Sequence, residues 1–154
     1  MSPYSAVTLE RTYVGRNMAH VDGTSPSTGG YKYYTHDHLG SARGVWNEDK
    51  SSYASFEHMP YGGMLTAHGA RDEITRRYTG HVWDGAAQLY WAPYRWYSPQ
   101  QARWMTRDPL GMVDGPNMYG YVGGNPAHPT DPSGLFEVDG CCDEREKQIV
   151  KQVE

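Results

Sequence analysis

Apolar side chains along this chain fall in short runs, most of them aromatic and interleaved with polar residues. They include Tyr31-Lys-Tyr33-Tyr34-Thr35, Ser52-Tyr53-Ala-Ser-Phe56, Arg77-Tyr78-Thr79, Leu89-Tyr90-Trp91, Tyr94-Arg95-Trp96-Tyr97 and Met118-Tyr119-Gly-Tyr121-Val122. Several alternate with period two, as a strand with one buried face does. Asp-Gly, Gly-Gly, Asn-Pro and Asp-Pro-x-Gly punctuate them as turn signals. The pattern predicts short antiparallel strands over residues 31–122 and no helix longer than two turns before residue 140. Turns are expected at Gly40, Gly62 and Gly85, which are spaced 22 and 23 residues apart. A similar step of 23 separates Asp108-Pro-Leu-Gly111 from Asp131-Pro-Ser-Gly134. Such a period suits repeated β-hairpins, which bury an aromatic face only by lying side by side.

Helical signals are sparse. Ser98-Pro99-Gln100-Gln101 has the form of a capping box and predicts one turn carrying Arg103 and Trp104. The tail from Asp143 places acids first, bases later, and Ile149 four before Val153, which favours a short C-terminal amphipathic helix. Composition shifts divide the chain into an N-terminal strand and linker (1–30), a central module (31–135) and a tail (136–154).

Composition narrows the class. Leu, Ile, Val and Phe supply 20 of 154 residues, a level seen in disordered chains of high charge. Here the net charge is only −4, and 13 Tyr and 5 Trp supply the missing apolar bulk, so a folded, aromatic β core is expected. No run reaches the ~18 apolar residues of a membrane helix, and no signal peptide is visible. The mild acidity argues against a nucleic-acid partner. Cys141 and Cys142 provide no disulfide framework and, lacking further cysteines, no metal set. His36 and His38 share a strand face, but third and fourth ligands at a recognisable spacing are missing, so no metal or cofactor is expected.

One set of residues is more specific. Tyr34-Thr-His-Asp37-His-Leu-Gly40-Ser-Ala-Arg43, Tyr78-Thr-Gly80, Leu89-Tyr90 and Arg95-Trp96-Tyr97-Ser-Pro99 lead into Arg103-Trp-Met-Thr-Arg-Asp108-Pro-Leu-Gly111. Asn117-Met-Tyr119-Gly-Tyr121-Val-Gly-Gly-Asn125-Pro126 and Asp131-Pro-Ser-Gly134-Leu135 follow. Together they resemble the RHS repeat-associated core domain of RHS/YD-repeat proteins, whose relatives include the C component of insecticidal ABC toxins. The resemblance implies a curled strip of hairpins that caps one end of a hollow β-shell. That shell encloses a variable C-terminal effector, often a toxin, in bacterial secreted or cell-surface proteins. It also implies self-cleavage, carried by Asp108, Asp131 and Arg95, at the bond between Leu135 and Phe136. Partners would be upstream repeats or further copies of the chain, together with the effector segment. The sequence departs from the family pattern at Pro93-Tyr94 and at Ala102.

The implied chemistry is coherent. Two carboxylates in contact cannot both ionise, so they hold one proton between them. The charged one activates water while the protonated one polarises the scissile carbonyl. A tethered substrate has little binding entropy left to lose, and the chain turns over once. Another reading stands beside it: Asp before Pro is a good turn former, and Arg95 can stack on Trp96 or Trp91. Arg107, next to Asp108, is a second candidate cation. A catalytically silent structural or interaction module is therefore the alternative. The distance between the two carboxyl groups discriminates: beyond about 6 Å they share neither a proton nor a water.

Overall fold

The computed structural model describes residues 11–21 and 29–138. The tail helix and Cys141-Cys142 lie outside the described residues. The first sheet is a six-stranded antiparallel meander of β1 (Arg11–Val14), β2 (Met18–Val21), β3 (Gly30–His36), β4 (Ala42–Trp46), β5 (Ser52–His58) and β6 (Met64–Gly69), in sequence order. The second is a four-stranded meander of β7 (Val82–Asp84), β8 (Leu89–Trp91), β9 (Trp96–Ser98) and β10 (Arg103–Trp104). Strands β2 and β3 pair directly, so the chain on either side of residue 29 belongs to one sheet. Helical geometry among the described residues is confined to three-residue 3₁₀ turns. The fold is mostly β, as the aromatic alternation predicted.

Each sheet buries one face. In β3, Lys32 and Tyr34 point inward while Tyr31, Tyr33 and Thr35 are exposed. Lys32 is wholly buried because its ammonium donates to the Gly29 carbonyl (2.8 Å) and to Asn47 Oδ1 (2.7 Å) and lies over the Tyr53 ring. Ala19, Tyr34, Val45, Phe56 and Ile74 complete this first core. The second core is aromatic: Tyr78, Tyr90, Tyr97, Trp104 and Tyr121 cluster around the second sheet, with Tyr97 and Tyr121 centroids 4.4 Å apart.

The β5–β6 hairpin turn joins the two cores. Its carbonyls at Pro60, Tyr61 and Gly62 accept from the hydroxyls of Tyr78 (2.8 Å), Tyr97 (2.9 Å) and Tyr90 (3.2 Å). Three buried hydroxyls and three turn carbonyls thus satisfy one another. Gly62 is needed here: its φ is +81°, and a Cβ would fall 2.5 Å from the Tyr78 ring.

Two aromatic runs expected to be strands are not. Tyr78 opens a 3₁₀ turn, with Thr79 at φ +48°. Residues 118–122 bury Tyr121 but are bent by Asn117, whose Oδ1 accepts from Tyr119 N–H and whose carbonyl accepts from Gly120 N–H, and by Gly123 and Gly124 at positive φ. Named strands therefore end at Trp104. The Ser98 segment is a hairpin turn rather than a helical one. Ser98 Oγ does accept from Gln101 N–H (3.3 Å), but Ser98 pairs with Arg103 across β9 and β10.

Candidate functional site

Arg95 immediately precedes β9. Its burial (4% exposed) follows from its position, with the guanidinium 4.5 Å over the Trp104 ring. Trp91 and Trp96, the stacking partners the sequence offered, are instead exposed. Two Asp-Pro-x-Gly turns converge on that guanidinium. Asp108 Oδ1 accepts from Leu110 N–H (2.8 Å), and the Asp108 carbonyl accepts from Gly111 N–H (3.1 Å). The Asp108 N–H is held by the Met118 carbonyl (2.9 Å). Asp131 Oδ1 accepts from three successive amides, Gly134 (2.7 Å), Leu135 (3.0 Å) and Phe136 (3.3 Å).

The remaining oxygens meet on one atom. Arg95 Nη2 lies 2.9 Å from Asp108 Oδ2 and 3.2 Å from Asp131 Oδ2. The two oxygens are therefore no more than about 6 Å apart. Arg95 Nε also donates to the Gly134 carbonyl. The bond between Leu135 and Phe136 is thus framed on both sides: Arg95 holds the carbonyl one residue before it, and Asp131 takes its N–H. Arg107 is exposed and donates to Met118 Sδ, not to either carboxylate.

Burial comes first in the protonation of Asp131. Two carboxylates face one guanidinium in a buried site, which leaves one negative charge uncompensated if both ionise. Burial pushes the Asp131 carboxyl up to about 7, against the opposing pull of Arg95 and the amides. Near neutrality Asp131 therefore holds a proton for part of the time.

The segment after the bond is also fixed. Leu135, Phe136 and Val138 pack with Leu110. Val138 and Thr130 exchange two backbone hydrogen bonds (2.7 and 3.0 Å), and Asp114 Oδ2 accepts from Glu137 N–H (3.1 Å). Asp114, whose carboxyl is itself raised by burial, was not singled out in the sequence, since its partner is a backbone amide 23 residues away. His81 was missed for the same reason: its Nε2 contacts the main-chain oxygen of Asp131 (2.9 Å). His36 and His38 diverge, one stacking on Tyr34 and the other reaching the Ala127 carbonyl.

No family model matches the chain. It is similar to toxin subunit YenC2 of Yersinia entomophaga, with 37% identity over 112 residues, covering 69% of this chain and 11% of YenC2. It is similar to toxin protein Tse5 of Pseudomonas aeruginosa, with 41% identity over 60 residues, 39% of this chain and 5% of Tse5. Among solved structures, the TcdB2–TccC3 crystal structure superposes with a TM-score of 0.68 and 30% identity over 77% of this chain and 6% of that one. The chain thus spans about a tenth or less of the length of these relatives.

Proposed function

We propose, because this chain belongs to the RHS-associated core family of RHS-repeat and Tc-type toxins, that it caps a YD-repeat β-shell and cuts its own backbone after Leu135. In this reading residues 31–135 are the core module. Upstream repeats or further copies cover its open sheet edges, and the chain beyond residue 135 leads to the effector. The observation that carries the proposal is the placement of two buried carboxylates on one guanidinium nitrogen, with Asp131 reaching the N–H of the scissile bond itself.

Hydrolysis adds the elements of water across Leu135–Phe136. Asp108, paired with Arg95 (2.9 Å), takes a proton from the attacking water, whose oxygen bonds to the Leu135 carbonyl carbon. Asp131 Oδ1 accepts the Phe136 N–H at rest (3.3 Å). Once the tetrahedral carbon has formed and the nitrogen has a free lone pair, the carboxyl turns its protonated oxygen to the departing Phe136 nitrogen and gives up that proton. The C–N bond then breaks to leave a carboxyl on Leu135 and an amine on Phe136. Arg95 steadies the negative charge that passes between the carboxylates and the tetrahedral carbon. Arg95 and Asp131 also hold the loop in place, one at the Gly134 carbonyl and the other at the Phe136 N–H.

A second reading is supported by Asp37. Its carboxylate caps an Asp-x-x-Gly turn and, among the described residues, makes no ion pair, so such a turn needs no chemistry to account for it. In that reading the chain is a catalytically silent cap. Intact mass of the purified chain separates the two. Self-cleavage yields fragments parted between Leu135 and Phe136, which Asp108→Asn and Asp131→Asn each abolish. A chain that stays whole over days at neutral pH leaves only the silent cap.

A further inference from the structure

His81 opens the way to β7 and is 4% exposed, with both ring nitrogens engaged. Nε2 lies 2.9 Å from the Asp131 main-chain oxygen, and Nδ1 lies 2.7 Å from Thr79 Oγ1. A carbonyl only accepts, so Nε2 carries the proton. Burial drives the imidazole down to about 4, so the ring is neutral near pH 7 and Nδ1 accepts from the Thr79 hydroxyl. One tautomer therefore satisfies both contacts.

The ring bears on both halves of the carboxylate–guanidinium cluster. It holds Asp131 by the backbone, and it stands edge-on to Trp104 (6.2 Å, 88°), the ring that carries the Arg95 guanidinium. Behind it the contacts continue to the first sheet. Thr79, at φ +48°, donates its N–H to Ser41 Oγ (3.0 Å), and Ser41 donates its own N–H to Asp37 Oδ1 (2.9 Å). Hydrogen bonds thus run from the Asp37 turn through Ser41, Thr79 and His81 to Asp131. His81 has no nitrogen left for a proton transfer, so general-base work falls outside its reach.

We propose that His81 is a positioning residue for the self-cleavage described above: its Nε2–H tautomer fixes the Asp131 main chain, and with it the carboxylate against the Phe136 nitrogen. The inference rests on the self-cleavage reading, but its geometry is measurable without it. A side chain that merely filled space beside Trp104 would be replaceable by any residue of similar bulk. One that donates from the Nε2 position is replaceable by Gln, whose amide nitrogen reaches a similar point, and not by Ala.

The test uses the full chain with His81→Gln and His81→Ala. If the wild type cuts itself, His81→Ala is expected to slow the cut by about 100-fold, as a misplaced reacting group does, and His81→Gln to restore it to within about 3-fold. ¹⁵N spectra of the wild type should show the Nε2–H tautomer persisting to pH 5. Equal slowing by Gln and Ala, or no slowing by Ala, overturns the proposal. If the wild type stays whole, the self-cleavage reading fails on its own, and the positioning is read by amide exchange. His81→Ala should then speed exchange at Gly134, Leu135 and Phe136 relative to β8 and β9, with Gln restoring protection. Unchanged exchange at those three amides overturns it.

Discussion

Two Asp-x-x-Gly turns of this molecule are put to different uses. At Asp37 the carboxylate accepts from Leu39 N–H (3.0 Å) and Ser41 N–H (2.9 Å), and Gly40 sits at φ +81°. At Asp131 it accepts from the amides of Gly134, Leu135 and Phe136, and Gly134 sits at φ +79°. Both are Asp-x-x-Gly loops whose side chain caps backbone amides. At Asp37 the main-chain carbonyl still accepts from Gly40 N–H (3.0 Å), whereas at Asp131 the carboxylate takes the Gly134 N–H and the main-chain oxygen faces His81. A further difference is in the surroundings. Asp37 is half-buried on a cleft rim and, among the described residues, makes no ion pair. Asp131 is 2% exposed and shares Arg95 with Asp108. A turn motif thus becomes a candidate reactive group only when tertiary burial and a cation are added to it.

The largest effect should separate the two turns outright. Asp108→Asn and Asp131→Asn should each lower the self-cleavage rate by about 10²- to 10⁴-fold, because each removes one proton-transferring group. Asp37→Asn should leave it within about twofold, since Asn also closes the turn. Mass spectrometry over time reads all three. Equal loss from Asp37→Asn would make the whole effect one of folding.

Stability gives the next contrast. Removing Arg95 leaves two buried carboxylates without their cation, so Arg95→Ala should cost about 3–5 kcal/mol in urea unfolding. Arg71, paired with Asp72 at 3.7 Å on the surface, should cost nothing measurable when replaced by Ala. If Arg95→Ala unfolds the chain altogether, adding Asp131→Asn should recover part of the loss, because it removes one of the stranded charges.

How much of this the sequence disclosed depends on which force placed each residue. The β class, and the turns at Gly40, Gly62 and Gly85, were legible because period-two aromatics and turn residues act locally. The meeting of Arg95 with Asp108 and Asp131 was reached by resemblance. Periodicity alone left each aspartate as a turn former. Lys32 was not legible as a core residue, since its burial depends on Asn47 and the Gly29 carbonyl. The run at 118–122 misled because Asn117 and the following glycines bend a segment whose aromatic content suits a strand. His81 and Asp114 bind backbone atoms 50 and 23 residues away, and no side-chain pattern records such contacts.

Acidity should sharpen the comparison further. The Asp131 carboxyl is raised in the fold from near 4 to about 7, so folding favours its protonated form. Its contribution to stability is complete below about pH 4 and is lost as pH rises through 7, at about 1.4 kcal/mol per unit. The wild type should therefore lose stability relative to Asp131→Asn across that window. His81 acts in the opposite sense, losing stability as pH falls from 6.5 to about 4, but it is common to both proteins and cancels in the difference. A wild-type-minus-variant difference that is flat between pH 4 and 7 would mean that Asp131 is ionised throughout.

The smallest contrast lies in the two glycines. Replacing either Gly40 or Gly134 by Ala forces an L side chain into left-handed backbone, at a cost of about 1–2 kcal/mol. At Gly40 nothing lies within 4 Å of the new Cβ, so that cost should be the whole effect. At Gly134 the Cβ would meet the Ala92 Cβ, the Arg95 Cβ and the Arg95 nitrogen, each at 3.2 Å. The loop must then shift by a few tenths of an ångström against the segment that carries the guanidinium. That adds about 1 kcal/mol of overpacking. It also moves the Gly134 carbonyl off Arg95 Nε. Gly134→Ala should thus lose more stability than Gly40→Ala and slow any self-cleavage as well, while Gly40→Ala touches stability alone. Equal losses in the two variants, measured by urea unfolding, would mean that the 131–136 loop is no more tightly held than its surface counterpart.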